Sequence, residues 1–287
     1  MRIFFLVLLF PLAALAQDHL AAPEEIELGP SIRREYMSSS VGRIDLRWPR
    51  AAERLFGRTP ERAMADAARS VSRALRRGSF PPPLNNLHLE WNVVFMDENM
   101  PPGQIPVYLL TNCHPGWMTP PSNIYIASSR AAAGCGPTAG SSTEVADSQL
   151  AQLLIHEMAH VIEHELLQEH FGGDRMRAEG FASWFEYYAS QGSPIMDSKK
   201  IDEQQKRLAQ ESFRHFPGQF RFGGSPHDYA RASMYFRAVV DRRGVSGLTE
   251  VYRIIKEDNI DFLSAVKKSF YWSDDRLHEE ARRMAGG

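Results

Sequence analysis

Apolar positions alternate in short runs through the first half of the chain and recur at helical spacing through most of the second. Leu87, Leu89, Trp91, Val93 and Phe95 fall on every other position of residues 87–96, which predicts a strand with one buried face. Two shorter apolar runs, 105–110 and 123–127, are flanked by turn residues and predict two more strands. Upstream of them, Thr59-Pro60-Glu61 has the form of a helix N-cap followed by a proline at the first helical position. Ala63, Met64, Ala67, Ala68, Val71, Ala74 and Leu75 then keep a period of three to four as far as Gly78. The opposite face of this helix carries Arg62, Arg69, Arg73, Arg76 and Arg77, expected to be a solvated face.

A long helix is predicted to start between residues 143 and 148 and to run to about residue 169. Leu150, Leu153, Leu154, Val161 and Ile162 give it the broad apolar surface of a helix buried inside a domain. Gly172-Gly173-Asp174 ends it and a second helix covers 175–190. Further helices are expected over 201–213, 227–242, 248–256, 261–270 and 274–284. Residues 17–48 show no sustained periodicity and are read as an extended lead-in. A small sheet ahead of a mostly helical half predicts an α+β fold. Residues 49–287 would form one domain, its N-terminal lobe reaching to about residue 170 and a helical lobe following.

The first residues change the setting rather than the fold. Met1-Arg2, an apolar run over 3–15 and Ala14-Leu15-Ala16 have the form of a secretory signal peptide over residues 1–16. The run is broken by Pro11 and is shorter than the roughly 20 apolar residues of a membrane span. An exported protein, periplasmic or secreted and without stable membrane insertion, is therefore expected. In such a compartment Cys113 and Cys135, the only 2 cysteines, are expected to form a disulfide, with two separate thiols as the alternative. With 33 Lys and Arg against 35 Asp and Glu there is no basic excess to attract nucleic acid.

The chemistry concentrates in His156-Glu157-Met158-Ala159-His160, an HExxH sequence inside the long helix. Positions four apart on a helix differ by about 40° and about 6 Å of rise, so His156 and His160 project from one face as two ligands for one ion. Glu157 lies beside that face, where zinc peptidases keep the carboxylate that acts on a metal-bound water. The motif is short enough to arise by chance, so a third ligand must support it. Glu179, in Ala178-Glu179-Gly180-Phe181-Ala182, is the strongest candidate.

HExxH followed at this spacing by Glu in an E-G-x-A context resembles the gluzincin metallopeptidases, in particular the aminopeptidase N and leukotriene hydrolase branch. The metzincin alternative requires a glycine and a third His or Asp where this chain has Glu163 and Leu166, and fails. The resemblance implies a thermolysin-type domain and one zinc ion on His156, His160 and Glu179. Glu157 would be the general base and a peptide or protein the substrate. It further implies that Tyr229, in Pro226-His227-Asp228-Tyr229-Ala230-Arg231-Ala232, stabilises the oxyanion. A packed helix tyrosine is the alternative there, with His227 and Tyr235 as reserves. Glu186 matches an acidic position of the same branch and would orient a ligand histidine, a surface salt bridge being its alternative. His164 is at best an outer neighbour of the ion, and His170 a surface residue. The strand at 123–127 would line the cleft and pair with substrate backbone. The Gly-x-Met-Glu-Asn segment that holds a free amine in aminopeptidases of that branch is not found. The expected function is an exported zinc peptidase. Its rival is a non-catalytic exported zinc-binding protein that uses the same fold for structure or partner binding.

Overall fold

The computed structural model describes residues 32–50, 52–55, 60–81, 84–96, 116–127, 143–218 and 220–286. The signal segment, the strand expected at 105–110, and Cys113 and Cys135 with their expected disulfide lie outside the described residues.

Among the described residues, five strands form one mixed sheet in the order β1-β2-β3-β5-β4. They are β1 (Ile32–Ser39), β2 (Gly42–Pro49), β3 (Leu89–Met96), β4 (Gly116–Thr119) and β5 (Asn123–Ala127). β1 and β4 pair antiparallel with their neighbours, while β2, β3 and β5 run parallel. The first two strands correct the expectation of an extended lead-in from residue 32 onward. Ile44, Leu46 and Trp48 alternate as buried residues on β2, but Arg43, Asp45 and Arg47 between them and the largely exposed β1 dilute the signal. Arg34 of β1 grips Asp45 of β2 through two hydrogen bonds, at 2.9 and 2.7 Å. Their cross-strand pairing is therefore electrostatic as well as through the ladder.

The helices are α1 (Ala52–Leu55), α2 (Pro60–Arg77), α3 (Thr143–Leu167), α4 (Arg175–Ser190), α5 (Ser198–His215), α6 (Pro226–Asp258), α7 (Phe262–Phe270) and α8 (Asp274–Met284). α6 joins the two helices expected at 227–242 and 248–256. Its break survives as one kink at Gly244, whose φ of 66° lies in the left-handed region that glycine tolerates. Among the described residues, no helix is long and apolar enough to cross a membrane.

One buried apolar cluster runs from Val41 to Ala285. α3 lies at its centre, with Leu150, Ala151, Leu154, Ile155, Met158, Val161 and Ile162 all inaccessible to solvent. α2 and β4 pack on α3 from the sheet side and α4 from the helical side, and α6 covers α4. Two of the α2 arginines are structural rather than merely solvated. Arg73 donates to the Gly192 carbonyl at 2.7 Å, and Arg77 donates to the carbonyls of Gln191, at 3.0 Å, and Tyr188, so together they fasten the end of α4.

Between α3 and α4 lies a buried ion pair. Arg177 Nε donates to Glu163 Oε1 at 3.0 Å, and the Tyr252 hydroxyl of α6 donates to the same oxygen at 2.7 Å. Burial pushes the Glu163 carboxyl up to about 7 in spite of Arg177. Asp174 caps α4 by accepting from Arg177 N at 2.9 Å and also accepts from Phe262 N at 3.0 Å, which ties the start of α7 to the same corner. Breaking a buried pair by removing one partner typically costs about 3–5 kcal/mol. Arg177→Met is accordingly expected to lower unfolding free energy by roughly that amount, measured by denaturant titration of the metal-free protein. A change within the few tenths of a kcal/mol typical of surface sites would show the pair to be energetically idle.

Candidate metal centre

α3 presents Gln152, His156 and His160 at successive four-residue steps on one face, and α4 runs antiparallel beside it. His156, His160 and Glu179 each offer one ligand atom, all within 4.8 Å of one another. Glu179 Oε2 lies 3.2 Å from His156 Nε2 and 3.7 Å from His160 Nε2. On the far side of the His156 ring, Nδ1 donates to Glu186 Oε1 at 2.5 Å. Gln152 Nε2 donates to the other Glu186 oxygen, also at 2.5 Å. Glu186 is thus held at both oxygens and is not a surface salt bridge. It fixes the proton on Nδ1 and leaves Nε2 of His156 as the ligand atom.

Glu157 is buried beside this set, and among the described residues its Oε2 has no hydrogen-bond partner. The strand β4 crosses directly over it. A Cβ at Gly116 would come within 2.8 Å of Glu157 Oε1 and 3.1 Å of Leu153 Cδ1, so only glycine lets the strand approach this closely. Tyr229, in the first turn of α6, stacks over His156 with ring centroids 6.2 Å apart and planes 27° from parallel. The turn that starts α6 is a capping box between Ser225 and Asp228. Gly180 lets α6 settle there, since a Cβ at that position would meet Phe236 Cε2 at 2.8 Å and Ala232 Cβ at 3.0 Å. Ala232 is therefore accommodated by the glycine that follows Glu179.

The electrostatics match a site that holds a cation. Burial alone would push the His156 imidazole down, but hydrogen bonds to Glu179 and Glu186 hold it well above the ordinary histidine range. Burial takes His160 down to about 4 and Glu157 up to about 8. Against its own burial, the hydrogen bond from His156 and the charges of His160, His156 and Arg175 hold Glu179 down at about 2. Burial, and next the Glu179 charge, raise the Tyr229 phenol above its usual range, so it stays protonated at neutral pH. Two imidazole nitrogens and one carboxylate, converging from two helices, are a donor set that suits zinc.

The remaining sequence candidates lie elsewhere. The Tyr235 hydroxyl is hydrogen-bonded to His278 Nδ1 at 2.7 Å, and His227 Nε2 pairs with Glu211 at 2.9 Å. His164 packs edge-on against Phe171, and His170 sits 3.6 Å from Glu169. The strand at 123–127 cannot pair with a substrate, because β5 is flanked by β3 and β4 on both sides. Among the described residues the edge strand beside the centre is β4. Two contributors went unrecognised in the sequence although spacing pointed to them. Gln152 is one helical step before His156, and Arg175 is one before Glu179.

The chain matches no protein-family model and none of the curated proteins. Among solved structures it resembles an M1 zinc metallopeptidase from Deinococcus radiodurans, with 12% identity, a TM-score of 0.45, and coverage of 90% of this chain and 52% of that one. A mutant of the same enzyme gives 12% identity, a TM-score of 0.47, and coverage of 90% and 53%. This chain thus spans about half the length of each. At this similarity the likeness establishes neither family nor activity.

His156 carries protons on both ring nitrogens in the metal-free state, since each faces a carboxylate, and zinc can bind only where Nε2 is bare. Its raised pKa means that zinc affinity is still climbing with pH at neutrality. Zinc titration by calorimetry at pH 7, in two buffers of different ionisation enthalpy, should show net release of protons on binding. No proton release would contradict this charge arrangement.

Proposed function

We propose that this chain is an exported zinc-dependent peptidase with His156, His160 and Glu179 as zinc ligands and Glu157 as general base. The observation that carries the reading is the convergence of these three ligand atoms next to a carboxylate that is not one of them. Zinc held there would supply a Lewis acid that acidifies water and polarises a carbonyl. A site used only for stability has little need of Glu157. An uncompensated buried carboxylate is costly, and it is tolerated where chemistry uses it.

Each residue has a task that its surroundings allow. Glu157 takes a proton from the attacking water and passes it to the leaving amine, and its burial, which favours the protonated form, helps it hold the proton between the two halves of that transfer. Tyr229, kept protonated, donates a hydrogen bond to the carbonyl oxygen as negative charge gathers on it. Glu186 and Gln152 hold His156 in one tautomer and orientation. Among the described residues β4 ends the sheet, and its outer edge would offer backbone donors and acceptors to an extended peptide. The apolar segment at residues 1–16 supports an exported setting, periplasmic or secreted, with peptides or proteins as the substrates.

Cleavage of a broad peptide library by the zinc-loaded protein tests the reading. Glu157→Gln should retain one zinc per chain while losing roughly 100- to 10,000-fold in kcat/KM. Tyr229→Phe should lower kcat by roughly 100-fold or more and leave KM within a few-fold. If the library is cut equally by wild type and Glu157→Gln, the general-base assignment is wrong. If zinc is bound and nothing is cut, the non-catalytic zinc-binding alternative holds instead.

A further inference from the structure

Arg175 opens α4, one helical turn before Glu179, and its guanidinium sits at the mouth of the centre. Nε lies 3.9 Å from Glu179 Oε1, and the guanidinium carbon lies 5.5 Å from the centre of the Phe222 ring, which packs 5.4 Å from the Tyr229 ring. It also rests on Gly224, where a Cβ would come within 3.1 Å of Nη2. The group is therefore held in place by an aromatic face and a glycine backbone, yet the side chain remains 56% exposed while Glu179 is 16% exposed.

That combination is unlike a structural ion pair. At 3.9 Å the Glu179 contact is longer than a hydrogen bond, so it orients the guanidinium without consuming its donors. The other acid near this turn, Asp228, is occupied, its Oδ2 accepting from Gly223 N and Ser225 N at 3.1 Å and from Ser225 Oγ at 2.9 Å. The residues of β4 after Gly116 are Trp117, Met118 and Thr119, which bring no charge to the opposite wall. A planar, pre-oriented fork of N–H donors facing solvent matches a carboxylate better than any other common peptide group.

We propose that Arg175 binds a carboxylate of the substrate, so that the site selects peptides with an acidic side chain or a free C-terminus adjoining the scissile bond. The 3.9 Å approach to Glu179 sets the position. If Glu179 helps to hold the zinc that meets the scissile carbonyl, a guanidinium beside the same carboxylate reaches only residues close to the bond, since each residue of extended chain spans about 3.3–3.6 Å. The nature of the ligand as a peptide rests on the peptidase reading; the presence of a carboxylate site does not.

Binding separates the two. In zinc-loaded Glu157→Gln, affinities are measured for peptide pairs that differ only in Glu against Gln at each position, and for pairs that differ only in a C-terminal acid against its amide. The first set reads a side-chain carboxylate and the second a terminal one. A charged hydrogen-bonded contact contributes about 1.5–3 kcal/mol, which corresponds to a preference of about 10- to 100-fold for the carboxylate member of one set. Arg175→Met in that background should bring the ratio to within about threefold of one, and Arg175→Lys should keep part of it. Arg175→Gln serves as a second neutral variant should the methionine protein fold poorly. A ratio near one in the parent, or one that persists in both neutral variants, overturns the proposal. Turnover by the wild type is followed on the same peptides. Carboxylate preference without turnover would sink the peptidase reading and leave the site, and turnover without preference would do the reverse.

Discussion

Everything at the centre depends on α3 and α4 keeping one antiparallel register. Three contacts hold it along the shared face: His156 with Glu186, the histidine pair with Glu179, and Glu163 with Arg177. They stand in order along both helices, so each enforces the same alignment. A slip by one turn would move one helix by about 5.4 Å past the other and take Glu179 out of reach of both imidazoles. The Glu163 pair lies at the dry end, where water cannot replace a lost partner, and Tyr252 extends it to α6. The glutamate that would bind metal is therefore located by contacts made before any metal arrives.

The register also determines what can surround the ligands. Gly180, which follows Glu179, faces α6, and its missing side chain lets Ala232 and Phe236 approach closely enough for Tyr229 to lie over His156. On the opposite side Gly116 does the same for β4 over Glu157. The two walls are thus brought in by glycines, one on the ligand helix and one on the sheet edge. Between them Glu157 and Glu179 are crowded into a mostly buried space with two imidazoles, and the protonation preferences of these two carboxyls are driven apart. One carboxylate is kept ionised at about 2 and its neighbour is pushed to about 8. That divergence is the usual sign of one group meant to hold charge and another meant to exchange protons.

Local signals were enough to read the helical half of the chain. The HExxH spacing and the Gly172-Gly173-Asp174 break act within one or two turns, and α3 ends and α4 begins close to where these residues place them. Glu179 was legible for the same reason, since a tight turn between two long helices leaves few ways to arrange them. The sheet was harder. β1 is largely exposed and β2 interleaves charges with its buried residues, so the pattern that marks β3 is missing there. β4 has only four residues, GWMT, and its edge position arises from pairing with β5, a long-range choice no local pattern encodes. The partners of Glu163 were equally hidden, because Arg177 and Tyr252 read as an ordinary helix cation and a packed aromatic until the fold brings them together.

X-ray absorption at the zinc edge of the zinc-loaded protein tests the central claim most directly. The account predicts one zinc per chain with a first shell of nitrogen and oxygen only, at about 2.0–2.2 Å, and the outer-shell scattering of two imidazoles. One imidazole should disappear from that pattern in His160→Ala. A sulfur ligand, a shell of oxygen alone, or a spectrum unchanged by His160→Ala would place the metal elsewhere and contradict the account.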